Sequence, residues 1–178
     1  MAATGWGEVV KGVTDGKVAL LTGNTPGTYV DIPGIKSASM AIEADTDEQR
    51  GDDAIIAVTQ EAKSLAVSFT AAHANAAALT VFTNGTVTTA GVTPNQTVLY
   101  KELSTSAVRY VTLKVQGNAR ESTGGAIILE ALKCQVTSGP NFELSDGSWV
   151  EPTLDLKGID RAGFLMQFTN YETAPAIT

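Results

Sequence analysis

Carboxylates, one histidine and one cysteine are the groups in this chain with chemistry to offer. The carboxylates are concentrated. The stretch EADTDEQRGDDAIIAVTQE, residues 43–61, holds Glu43, Asp45, Asp47, Glu48, Asp52, Asp53 and Glu61 against a single base, Arg50. It carries a net charge of −6, almost the whole formal charge of −7. Clustered acids suggest a divalent cation. Asp45 and Asp47 match the first two ligand spacings of an EF-hand loop, but Gln49 fills the fifth position, Gly51 comes one residue late, and Ile56 takes the place of the bidentate glutamate. An irregular calcium site is left as an alternative to a solvated acidic loop. The adjacent Asp52 and Asp53 do not specify the two acids facing each other across a cleft that glycoside hydrolysis uses.

His73 is the only histidine, which excludes a multi-histidine metal site. A triad would set it beside Ser64 or Ser68 and Asp45, yet no nucleophile-elbow pattern surrounds any serine. His73 reads as a polar residue at the start of a helix. Cys134, the only cysteine, excludes an intrachain disulfide and reads as a small buried hydrophobe. The segment ESTGGAI lacks the lysine of a phosphate loop. The aromatic residues are scattered, so no stacking platform for sugars or single-stranded nucleic acid stands out. These residues point to a protein that is not an enzyme and holds no metal or cofactor.

The elements that must position these residues are mostly strands. The chain has 178 residues, 43% of them hydrophobic and 17% charged, which suits one domain with a substantial core. A pI near 4.6 argues against tight binding to a phosphate backbone. No run of 18 apolar residues spans a membrane, and the first dozen residues lack a secretory pattern. Period-two alternation recurs. Ala38, Met40, Ile42 and Ala44 alternate with Ser37, Ser39, Ala41 and Glu43. Leu65, Val67 and Phe69 alternate with Ser64, Ala66, Ser68 and Thr70. Val111, Leu113 and Val115 alternate with Thr112, Lys114 and Gln116. Over 126–136, Ile128, Leu132, Cys134 and Val136 share a face with Glu130, which calls for a bulge or a wet position. Phe164, Met166 and Phe168 alternate over 162–170. Short strands are expected in GKVALLTG, GTYVDIPG, 54–60, 95–102 and 150–157, nine or ten in all. One helix is expected over 71–82, AAHANAAALTVF, stopped by Asn84-Gly85. The expectation is a single mainly β domain, a β-sandwich or barrel with one flanking helix. A long loop occupies 45–53, and extended arms lie at about 1–12 and 171–178.

Two strands flanking a long acidic loop with Glu48, Arg50, Gly51, Asp52 and Asp53, a third strand SLAVSFTAAH running into an Ala-rich helix, and the late strands of GGAIILEALKCQVTSGPNFELSDGSWVEPTLDLKGI follow one another in this order. That organisation, over about residues 30–170, resembles the major tail protein, the tail tube subunit, of long non-contractile-tailed bacteriophages. The resemblance implies a structural virion protein, assembled in the host cytoplasm, whose hexameric rings stack into a tube. Four strands per subunit would close an inner barrel, and DNA would pass its acidic lumen. It implies self-association, tail terminator and tail tip or baseplate proteins at the tube ends, a tape measure protein and DNA passing through without specific binding, and no membrane. Asp45, Asp47, Glu48, Arg50, Gly51, Asp52 and Asp53 would form the contact to the next ring. Glu43, Glu61 and Glu130 are the candidate lumen-facing acids. The alternative is a β-sandwich that binds carbohydrate or calcium on a surface or virion protein.

Overall fold

The computed structural model describes residues 10–44, 46–51, 54–60, 62–105, 108–119, 125–147, 150–171 and 175–177. Thirteen strands and one helix follow in chain order: β1 Val10–Thr22, β2 Thr25–Pro26, β3 Val30–Asp31, β4 Ile35–Glu43, β5 Thr46–Gly51, β6 Ala54–Gln60, β7 Ser64–Ala71, α1 Ala76–Phe82, β8 Thr86–Ala90, β9 Thr97–Lys101, β10 Tyr110–Ala119, β11 Ala126–Asn141, β12 Thr153–Gly158 and β13 Met166–Tyr171. Nine strands form one antiparallel sheet, ordered β2-β1-β10-β11-β12-β7-β4, with β13 added to β11 and β3 to β1. The fold is mainly β, with one short helix.

The sheet folds into two layers because β11 belongs to both. Its first half pairs with β13 through Ala126↔Tyr171 to Ala131↔Met166, and its second half pairs with β12 through Cys134↔Gly158 to Asn141↔Thr153. Between the halves, two steps on β10 (Val111 to Leu113) match three on β11 (Cys134 to Ala131). This one-residue bulge bends the strand and changes which residues face inward. It is the bulge that Glu130 demands: Ala131 and Cys134 enter the core, while Glu130 remains half-exposed. Val18, Val111, Leu113 and Val115 from one layer meet Leu65, Val67, Phe69, Leu154 and Leu156 from the other in one buried cluster. Gly158 permits the closest approach of β12 to β7, since a Cβ there would lie 2.6 Å from that of Leu65.

The helix is shorter than its alanine content suggests. Ala71 is the last residue of β7, paired to Ile35, and Asn75 caps α1 by accepting from the Ala77 amide at 3.0 Å. Strand pairing wins Ala71 and the Asn75 cap fixes the start, so 72–75 form the connection. Phe82 then packs on Phe69 with ring centroids 5.1 Å apart.

Other boundaries move for similar reasons. The acidic segment is not a loop: β5 and β6 pair from Thr46↔Gln60 to Gly51↔Ala54 as a separate two-stranded ribbon. Its polar side chains carry no apolar alternation, so the pattern hides the strand. Phe164 lies outside β13, bridged to Arg161 across a tight turn in which Ala162 and Gly163 have positive φ. Residues 86–90, not expected as a strand, pair with β9 as a second ribbon. Residues 10–12 of the expected N-terminal arm belong to β1, and Tyr171 of the C-terminal arm belongs to β13. Ile177 of that arm is buried. The sheet does not close on itself: β4 ends it with one edge unpaired among the described residues.

Truncating the fully buried Leu113 to alanine is expected to cost about 2–5 kcal/mol in urea denaturation, whereas Ile56→Ala should stay within about 0.5 kcal/mol. Burial pushes the Cys134 thiol up to about 12. An unfolded thiol ionises near pH ~8.5, so this group leaves stability untouched below that pH and erodes it as pH climbs toward 12. Iodoacetamide at pH 8 should leave the folded protein unmodified and label it in urea.

Candidate functional surfaces

The expected contact residues fall on the β5–β6 ribbon. Asp47 pairs with Thr59, Glu48 with Val58, Arg50 with Ile55 and Gly51 with Ala54. Arg50 Nη2 donates to Glu48 Oε2 at 3.0 Å, an exposed pair of little energetic weight. Asp45, Asp52, Asp53 and Glu61 lie outside the described residues. The ribbon continues the β4–β7 hairpin past its last pair, Glu43↔Ser64. All seven residues of β6 are exposed, including Ile55, Ile56 and Val58, with Ile56 at 68%. A lone two-stranded ribbon is at best marginally stable in water, and adjacent aliphatic side chains on both of its faces are left without cover.

The layer β4-β7-β12 with the second half of β11 presents a face of small polar groups. Across the strands, Ala41, Ala66, Lys157 and Gln135 form one row, Ser39, Ser68 and Asp155 a second, and Ser37, Thr70 and Thr153 a third. A shallow depression lined by Ser39, Ala41, Glu43, Ala66, Ser68 and Thr137 runs over it. The three candidate acids do not gather here. Glu43 borders this face, Glu130 lies in the β10–β11–β13 part of the sheet, and Glu61 is outside the described residues. Glu130 accepts from Thr112 Oγ1 at 3.2 Å and lines a hollow with Lys114, Gln167 and Ile177. Glu43 ends β4 beside β7, whereas Glu130 stands on the half of β11 that runs between β10 and β13.

His73 stands in the connection between β7 and α1, its ring against Gly34, while Ser64 and Ser68 belong to the small polar face of β7. Among the described residues no three His, Cys, Asp or Glu side chains come together as a ligand set. No helix among them is long and apolar enough to cross a membrane.

A polar cluster that the sequence did not announce ties the β8–β9 ribbon to the body. Tyr100 on β9 hydrogen-bonds to Thr83 at the end of α1 and donates to Glu102. Arg109 donates to Thr80 O at 2.8 Å and to Asn84 Oδ1 at 2.7 Å. Partial burial, then the Glu102 hydrogen bond, raises the Tyr100 pKa. At Glu102 burial acts upward too, but hydrogen bonds from Tyr100 and Thr83 outweigh it and hold the carboxyl below its ordinary value. Only long-range closure joins Arg109 to Asn84, so no local motif reveals the cluster.

Tyr100→Phe should destabilise by less than about 1 kcal/mol, because the cluster is solvent-accessible. The lowered Glu102 pKa contributes stability above the ordinary carboxylate range and loses it as pH falls through the folded value. The difference between wild type and Tyr100→Phe in urea denaturation should therefore shrink on acidification.

Compared with models of known protein families, the chain matches none, and no curated protein matches it in sequence.

Proposed function

We propose that the protein is a structural, non-catalytic subunit that polymerises, the tail tube subunit of a long non-contractile-tailed phage. In this reading hexameric rings stack into a tube in the virion, and the lumen conducts DNA. The observation that carries the proposal is the β5–β6 ribbon. It projects from the sheet with uncovered aliphatic side chains in an acidic segment, which is the form of an arm that needs a partner surface. A head-to-tail contact between unlike surfaces of identical chains generates rings or filaments.

The small polar face supports the same reading. Serine, threonine and alanine dominate it, and Glu43 and Asp155 outnumber Lys157. A wall of this kind offers a phosphate backbone few cations to bind, and its carboxylates repel phosphate over roughly a Debye length, about 8 Å at physiological salt.

The pair Glu43↔Ser64 gives a direct test. Replacing residues 45–62 by a two-residue Asn-Gly turn, which sets residue 44 opposite residue 63, converts β4 and β7 into a tight hairpin without touching the core. The variant should keep its circular dichroism and cooperative unfolding but form rings that do not stack, as seen by negative-stain microscopy. Tubes of normal length from that variant would remove the ribbon from the assembly contact. A wild type that stays monomeric at high concentration, with a tight calorimetric calcium signal, would favour a binding module instead.

A further inference from the structure

At Gln135 the paths of two strands part. β10 accompanies β11 no further than the pair Tyr110↔Gln135, while 136–141 of β11 continue beside β12 and leave their other edge open. The chain just before Tyr110 is tied instead to the end of α1, where Arg109 donates to Thr80 O and to Asn84 Oδ1. The fork encloses a cavity of about 240 Å³. Phe82, Val108, Val136 and Pro140 give it an apolar wall, and Arg109 stands in the same lining. We propose that this cavity binds a small organic carboxylate whose apolar body is about the size of a benzene ring. The proposal is independent of the tube reading.

The cavity has a fixed frame. Packed interiors close on voids much larger than a water molecule, so a hollow of this size needs supports. Arg109 ties the start of β10 to the last turn of α1, and Phe82 is backed by the ring of Phe69. Gly139 lines the cavity without a side chain, and a Cβ there would meet nothing within 4 Å. An apolar cavity of about 150 Å³ is enough for benzene. This one therefore takes an aromatic ring and leaves room for an ionised head group.

Arg109 sets the sign of that head group. A guanidinium has five N–H donors, and two of them go to neutral oxygens at the helix end. Arg109 is in none of the ion pairs among the described residues. Glu102, the acid in the cavity lining, is held by the Tyr100 hydroxyl, Thr83 and the Asn84 amide, and acts on Arg109 only through space. A ligand carboxylate can take two of the remaining guanidinium donors side by side, a planar match that an ammonium does not offer. The apolar wall keeps water from one side of this contact and so strengthens it. An inorganic anion would meet the same cation but leave the apolar wall uncovered.

The probe is benzoate at neutral pH, added to the full chain and followed by NMR of the Val108 and Val136 methyl groups. Benzyl alcohol, similar in shape but uncharged, is the control. Benzoate should give saturable shifts of both valines by about 10 mM, since a ligand of so few atoms binds in the millimolar range. Benzyl alcohol should bind at least tenfold more weakly. Arg109→Gln should abolish that preference, and Gly139→Leu, which fills the cavity, should weaken benzoate at least tenfold. Circular dichroism reads folding in each variant. Gly139→Leu leaves the Arg109 contacts in place, so it tests the site even where Arg109→Gln fails to fold. No saturable response of the wild type would overturn the site. Equal binding of benzyl alcohol would overturn the carboxylate, and unchanged benzoate binding by folded Gly139→Leu would overturn the location. Methyl shifts that follow protein concentration and ignore benzoate would mean that a second copy fills the cavity. That result would overturn the assignment and leave the tube reading standing.

Discussion

One extra residue in β11 holds the architecture together. A sixteen-residue strand that stayed regular would carry a single alternation from end to end and serve one flat layer. The bulge between Ala131 and Cys134 lets the same strand give its first half to β13 and its second to β12. The core forms between the two layers that result. Cys134 is buried because the bulge sits where it does, and the open edge beyond Gln135 exists because β10 stays with the other layer. Packing at Gly158 then brings β12 and β7 close enough to complete the layer that ends at β4.

Much of this was legible before any coordinates. The alternation of β7 and the Ala38–Met40 part of β4 have the faces read from the sequence, because a half-buried strand imposes period two on its side chains, whereas Ile42, read as inward, is exposed and Thr112 and Gln116, read as the outward face of β10, are buried along with Val111, Leu113 and Val115. Glu130 among apolar residues signalled the bulge. What stayed hidden shares a physical cause. β5 and β8 are exposed on both faces, so no core selects an alternation. Ala71 has strong helix propensity but a strand partner in Ile35, and long-range pairing outweighs a local preference. The separation of Glu43 from Glu130 depends on register across several strands, which no local window contains. The Tyr100–Thr83–Glu102 and Arg109–Asn84 contacts depend likewise on how α1, β9 and β10 converge.

The ribbon poses a problem of timing as well as of place. AIIAV, within β6, is apolar, uncharged and rich in branched side chains, the composition from which intermolecular β-structure nucleates. Asp47 and Glu48 stand on the facing strand, with further acids on both sides in sequence. Two free chains approaching ribbon to ribbon therefore bring like charges together before their aliphatic groups can touch. The carboxylates flanking AIIAV act as gatekeepers against premature aggregation, discouraging self-similar contacts while leaving unlike surfaces open to meet.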